Sequence, residues 1–219
     1  LLGFFGRGNI NYKDKYLFTF TYRRDGTSRF GSDNRWGNFP AAAFAWKVKD
    51  DFFKDSDLIS DLKLRVGWGV TGQQEINESL FYRQLYNIGN TNSQYTFGNT
   101  SVNVAVPSAY GPIKWEETTT YNAGIDFGIK ENKLSGSIDL FYKKSNDLFQ
   151  IGPFADGGNY TNQGPQNVGD MSTKGIEFNI NYNVIKNDNV NWDVNFNATK
   201  FERRIDKIAS GIPIYTGFT

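Results

Sequence analysis

Cysteine and histidine are both missing from the 219 residues. Their absence removes disulfides, Cys or His zinc ligands, Cys–His nucleophiles and any Ser-His-Asp triad in one step. Charge of one sign is missing too, since 24 basic and 23 acidic residues leave a net +1. That balance gives no electrostatic case for a nucleic-acid partner. No run of about 18 apolar residues occurs, so a transmembrane helix is excluded while a membrane-spanning barrel stays open. The chain opens on "LLGFFGRGNINY", without an initiator Met or a signal peptide, and is expected to be a piece of a longer protein.

Aromatic residues are abundant, at 16%, although the mean hydropathy is −0.54. Strands with one aromatic face and one polar face satisfy both facts. In "YNAGIDFGIKENKLSGSIDLFYKK", Tyr121, Ala123, Ile125, Phe127 and Ile129 share one parity and Asn122, Gly124, Asp126 and Gly128 the other. After Lys130-Glu131-Asn132-Lys133 the pattern resumes, with Leu134, Ile138, Leu140 and Tyr142 opposite Ser135, Ser137, Asp139 and Lys143. Period two means strand, and the pair reads as a β-hairpin.

The same alternation recurs along the chain. Phe4, Ile10 and Tyr12 oppose Phe5, Arg7, Asn9 and Asn11, and Tyr16, Phe18, Phe20 and Tyr22 oppose Leu17, Thr19, Thr21 and Arg23. A third segment, about Asn38 to Val48, is blurred by Ala41, Ala42 and Ala43. Leu62, Leu64, Val66, Trp68 and Val70 oppose Asp61, Lys63, Arg65, Gly67 and Thr71. Further on, Ile176, Phe178, Ile180, Tyr182 and Val184 oppose Glu177, Asn179, Asn181 and Asn183, and Trp192, Val194, Phe196 and Ala198 oppose Asp193, Asn195, Asn197 and Thr199. Eight antiparallel strands of about ten residues are expected, enough to cross roughly 25 Å of apolar membrane at a tilt near 40°.

Connections alternate in length. Lys13 to Lys15, Lys130 to Lys133 and Ile185 to Val190 are short, whereas Asp25 to Gly37, Gly72 to Glu116, Ser145 to Thr173 and the tail from Glu202 are long. Short turns on one side and long loops on the other are the habit of outer-membrane barrels. Lys49 to Ser60 breaks the rule and suits a helical turn. Tyr12, Tyr16, Trp46, Tyr142, Tyr182 and Trp192 lie near strand ends, where amphipathic rings would meet headgroups.

Four blocks, "FGRGNINYKDKYLFTFTYRRDGTSRFGSDNRWGNFPAAAFAWKV", "LKLRVGWGVTGQQEI", "IKWEETTTYNAGIDFGIKENKLSGSIDLFYKKSNDLF" and "NVGDMSTKGIEFNINYNV", resemble the barrel of SusC/RagA-type TonB-dependent transporters of Bacteroidota. The resemblance implies an all-β, antiparallel transmembrane β-barrel of about 22 strands, of which residues 1–219 form part of one barrel domain. It implies outer-membrane import of oligosaccharides, peptides or other large nutrients, with a SusD-like surface lipoprotein as lid. Energy would come from the inner membrane through the TonB–ExbB–ExbD complex, acting on a plug domain and an N-terminal extension that this sequence does not show.

On that reading the polar parity faces the lumen, giving Arg7, Asn9, Asn11, Arg23, Lys63, Arg65, Asp126, Asp139, Glu177, Asn179, Asn181 and Asp193 as candidate wall residues. Any one of them could equally solvate the lumen or pair with a plug. Tyr95, Phe97, Tyr110, Phe154 and Tyr160 are candidate loop contacts to substrate or lid. The apolar parity would face outer-membrane lipid. No cofactor is expected and no catalytic set is found: Glu116 and Glu117, as strand neighbours, point to opposite faces, and Asp55, Asp57 and Asp61 lack the spacing of a calcium loop. An enzyme is therefore not expected. Two alternatives remain, a self-contained eight-stranded outer-membrane barrel with a structural or adhesive role, and a soluble carbohydrate-binding sandwich.

Overall fold

The computed structural model describes residues 1–75, 82–83, 85–88, 94–103, 105–107, 110–153, 163–186 and 190–208. Eight long strands form one antiparallel sheet: β1 (Leu2–Tyr12), β2 (Tyr16–Gly26), β3 (Trp36–Lys47), β4 (Ile59–Gln73), β9 (Glu116–Ile129), β10 (Leu134–Pro153), β11 (Gln163–Lys186) and β12 (Asn191–Lys207). Four short strands, β5 (Tyr86–Ile88), β6 (Gln94–Phe97), β7 (Thr100–Asn103) and β8 (Ala105–Pro107), pair as β5–β8 and β6–β7 inside the longest connection. The one α-helix among the described residues, α1 (Lys49–Phe52), is the helical turn expected in the link to β4. Each long strand lies beside its neighbour in sequence, so the sheet is a meander. It is open: β1 and β12 are its two ends and do not pair with each other. A self-closed eight-stranded barrel is therefore not what this chain forms.

Register carries the alternation across the whole sheet. Phe18 opposes Phe44, Leu64 opposes Ile125, Ile125 opposes Ile138, Ile138 opposes Phe178 and Phe178 opposes Ala198, so that apolar side chains share one face. The Ala41–Ala45 run, unreadable by parity alone, belongs to an ordinary strand whose Ala42 and Phe44 join that face. The tight turns rely on left-handed backbone: Lys13 and Asp14 close the first hairpin, and Lys130, Glu131 and Asn132 all have positive φ in the β9–β10 turn. Strained non-glycine positions of this kind persist where flanking strands fix the ends.

Strand length departs from the expected ten residues. The eight strands run from 11 to 24 residues, and β10 and β11 have 20 and 24. At about 3.3 Å per residue and about 40° of tilt, 24 residues rise roughly 60 Å, more than twice a membrane's apolar band. Parity reading ended each strand where the alternation fails, but the hydrogen-bonded ladder goes on beyond it. A bulge at Ser145–Leu148, where Asp147 has positive φ, re-aims β10 in that outer stretch.

Among the described residues the core is small. Phe30, Phe39, Ile113 and Trp115 pack together with Val70 and Phe149 at the loop end of the sheet. Trp115 meets Phe30 and Phe39 edge to face at 5.5 and 5.3 Å. In contrast, Phe20, Leu140, Phe196 and Trp192 are more than half exposed on the apolar face. So large a contiguous apolar surface is foreign to a water-soluble monomer. Nothing in the described chain lies over it, which removes the two-sheet sandwich.

Candidate functional site

Four of the expected wall residues converge on the polar face. Arg65 on β4 reaches across to β9 and donates from Nε and Nη2 to Asp126 at 2.9 and 2.6 Å, while Nη2 also meets Asp139 of β10 at 3.1 Å. Lys63 adds Nζ to Asp126 at 2.7 Å. Register explains the meeting, since Lys63 opposes Asp126, and Arg65, Gly124 and Asp139 form one row across three strands. Gly124 leaves the space. A Cβ there would strike the Asp139 carboxylate and come within 2.9 Å of Arg65 Nη2. Two cations and two carboxylates thus balance on a partly exposed surface, and the bidentate Arg–carboxylate fork fixes their geometry.

Other expected wall residues lie on the same face as separate pairs. Arg7 donates to Thr21 at 3.1 Å, Thr19 to Asn9 at 2.9 Å and Arg23 to Asp25 at 2.6 Å. Asn11 bonds Asp14 in the adjacent turn. Asn195 donates to Asn179 at 3.4 Å, and Asp193 accepts from Asn183 at 2.7 Å. Glu177 and Asn181 have no side-chain hydrogen bond among the described residues; Glu177 opposes Asp139 and Asn181 opposes Asn195. Between these pairs Ala41, Ala43, Gly67 and Gly69 leave the face flat.

The expected loop contacts fare unevenly. Tyr95 and Phe97 belong to β6, and Phe97 and Tyr110 are exposed. Phe154 and Tyr160 lie outside the described residues. Two features were missed from sequence. The first is the loop-end cluster around Trp115, with Asn167 bridging Lys114 and Asp147; an isolated "IKW" between turn residues was its only trace. The second lies at the short-turn end. Asp51 on α1 accepts from Lys15, from the Tyr16 hydroxyl at 3.0 Å and from Trp46 Nε1 at 2.8 Å. Hydrogen bonds from Lys15 and then Trp46 hold the Asp51 carboxyl well below its usual range, at about 2, and the same contact raises Lys15. Beside this clamp Tyr12 stacks on Tyr16 at 6.3 Å and Tyr16 on Trp46 at 6.2 Å, and Phe52 meets Trp46 edge to face at 5.8 Å.

No group of three or more acidic, Cys or His residues able to hold a metal ion occurs among the described residues. The face offers hydrogen bonds and charge instead, spread along a wall.

Comparison with known proteins agrees with this geometry. The family model "TonB dependent receptor-like, beta-barrel" matches residues 1–217. TonB-dependent receptor SusC of Bacteroides thetaiotaomicron is 44% identical over 213 residues, covering 96% of this chain and 21% of its own length. A TonB-dependent receptor of Formosa agariphila is 34% identical over 218 residues, 98% of this chain and 21% of its own. Among solved structures, the RagAB peptide importer in its open-open state superposes with a TM-score of 0.85 at 26% identity, over 96% of this chain and 22% of that one. This chain thus spans about a fifth of the length of the relatives it matches. It belongs to the family of TonB dependent receptor-like β-barrels, proteins of the outer membrane, and is SusC-like within that family.

Proposed function

We propose that residues 1–219 form a sector of the wall of a SusC-like importer, which carries oligosaccharides, peptides or other nutrients too large for porins. One observation carries the reading: a sheet 44% identical to SusC presents an uncovered apolar face on one side and an ion-paired polar face on the other. Lipid accounts for the first and a wet, plug-containing lumen for the second. Lys63, Arg65, Asp126 and Asp139 then line the lumen and lock β4, β9 and β10 together, while Glu177 and Asn181, less engaged, are offered to plug or substrate. The plug, and through it the TonB–ExbB–ExbD complex, would be supplied by sequence outside these residues. Phe97 and Tyr110, on the long-loop side, suit contact with a SusD-like lid or with substrate rings. RagAB is a peptide importer by its description, and a nutrient of similar bulk is the substrate class proposed here.

The test begins with the intact protein. Detergent-extracted outer membranes would be probed with an antibody to the Tyr121–Lys144 hairpin. A chain several times longer than 24.8 kDa, co-purifying with a lipoprotein, is expected. A membrane band near 24.8 kDa, with no lipoprotein, would refute the importer.

A further inference from the structure

The ladder between β3 and β4 stops short of the strand ends. It runs from Lys47–Lys63 to Ala41–Gly69, yet β3 continues to Trp36 beside β2 and β4 continues to Gln73 beside β9. The residue beyond Ala41, Pro40, has no N–H to donate, and the seam opens there. Aromatic side chains fill the gap: the Phe39 ring lies against β4 at Gly72, where a Cβ would overlap it, and Trp115 packs on Phe39. At this split the polar face carries a pocket of about 410 Å³. Arg23 and Asp25 of β2, Phe39 of β3 and Gln73 of β4 line it from the polar parity, while Gln74 and Trp115, just past the ends of β4 and β9, complete it.

Two buried side-chain oxygens among the described residues have no hydrogen-bond partner, Asp25 Oδ1 and Gln74 Oε1, and both residues line this pocket. Asp25 is 7% exposed, and its other oxygen is taken by Arg23. Gly3 leaves room beside Oδ1 that a Cβ would fill. A buried acceptor left unmade costs more than a hydrogen bond gains, so each marks a place for a donor. Donors stand nearby as well. Arg23 commits only its Nε to Asp25, and Gln73 spends its Oε1 on the backbone N–H groups of Gln74 and Glu75, leaving its own amide N–H groups uncommitted among the described residues. An ammonium group offers donors alone and would face Arg23; a carboxylate or sulfate offers acceptors alone and would face Asp25 and Glu75. A peptide group brings a single N–H for two orphaned acceptors. Vicinal hydroxyls, each donor and acceptor at once, meet both needs, and the C–H faces of a sugar ring suit Phe39 and Trp115.

We propose that this pocket is a subsite for one uncharged sugar ring of an oligosaccharide, held by Arg23, Asp25, Gln73 and Gln74. The inference rests on the importer reading above, which turns the polar face to the lumen. It narrows the substrates of that reading to glycans without carboxylate or sulfate at the ring bound here.

The experiment uses the full-length protein purified in mild detergent, and native mass spectrometry measures its binding of three probes: a mixture of neutral gluco-, xylo- and manno-oligosaccharides, a mixture of oligogalacturonides, and a tryptic peptide mixture. Wild type is compared with Gln74→Met and Asp25→Asn, which keep side-chain size while removing or neutralising an acceptor. Lys200→Gln, in the row of Leu140 and Ile176 on the apolar face, is the control. Heat-dependent gel mobility establishes that each variant folds, and if Asp25→Asn does not, Gln74→Met decides alone. The proposal expects a neutral oligosaccharide on the wild type, about tenfold weaker binding by each pocket variant, and no change with Lys200→Gln. It expects neither pocket variant to alter binding of the other two probes. Undiminished sugar binding by Gln74→Met, no neutral oligosaccharide on the wild type, or a peptide whose binding falls with the pocket variants overturns it and leaves the importer reading standing. Absence of the wild-type chain from the outer membrane would instead overturn the importer reading and this inference with it.

Discussion

At the scale of single residues, the polar face is organised by who can fit beside whom. Arg65 is the hub, because its fork holds Asp126 and Asp139, which would otherwise repel each other across a gap that Gly124 leaves open. With the Arg65 side chain 32% exposed, the net worth of its bonds is about 1–2 kcal/mol after allowance for solvent screening. Arg65→Leu should lower stability by that amount, and Arg65→Lys should recover only part because an ammonium cannot make the bidentate contact. Denaturant melts of the purified full-length protein measure both; a full recovery by Lys would show that charge alone matters. Asp51 offers a second case, at the short-turn end. Its carboxyl titrates at about 2 in the fold and near 3.8 unfolded, so the clamp stabilises fully above about pH 3.8 and is lost as the pH falls through 2. Fluorescence of Trp46, which donates to Asp51, should stay flat from about pH 7 to about pH 4 and change below that. Asp51→Asn should remove the change.

At the scale of elements, each strand is a depth gauge. From Ile176 to Val184, β11 alternates cleanly between apolar and polar residues. At about 3.3 Å per residue and about 40° of tilt, such a run rises roughly 23 Å, close to the apolar band of an outer membrane. A charge placed on that face should be costly. Phe178→Arg or Ile125→Arg is expected to destabilise the barrel by about 2–4 kcal/mol, whereas Asn179→Arg, one residue away and on the opposite face, should be nearly neutral. Assembly yield and heat-dependent mobility read the difference. The alternation within the band was legible because lipid demands it of every second residue. Where β10 and β11 rise above the band, the demand lapses: Lys174, Ser172 and Lys144 sit where apolar residues sat below, and the strands continue on backbone hydrogen bonds with no side-chain signature. The Ala41–Ala43 run shows the same limit from inside the band, since alanine suits either face.

At the scale of the whole molecule, the architecture follows from the lack of an ordinary core. A few buried aromatics around Trp115 tie the loop end together, but the broad apolar face is covered by nothing in the described chain. Sequence parity told the two faces apart, and the structure placed Lys63, Arg65, Asp126 and Asp139 side by side, as their shared face allowed but could not reveal. Pairing between strands decides which residues of a face become neighbours, and register depends on turns such as Lys130–Lys133, whose left-handed residues carry no glycine to announce them. The Asp51 clamp joins three elements separated by up to 36 residues, beyond the reach of any periodicity.

The central claim is that the apolar parity meets lipid and the polar parity meets water inside a barrel. Because the 219 residues contain no cysteine, single cysteines can be placed along β11 at Ile176, Phe178 and Ile180 and at Glu177, Asn179 and Asn181 of the full-length protein. Labelling in native outer membranes then compares a membrane-impermeant thiol reagent with a lipid-dissolved one. The account predicts that the even positions take only the lipid-dissolved label and the odd positions only the aqueous one. Aqueous labelling of the even positions, or labelling without alternation, would contradict it.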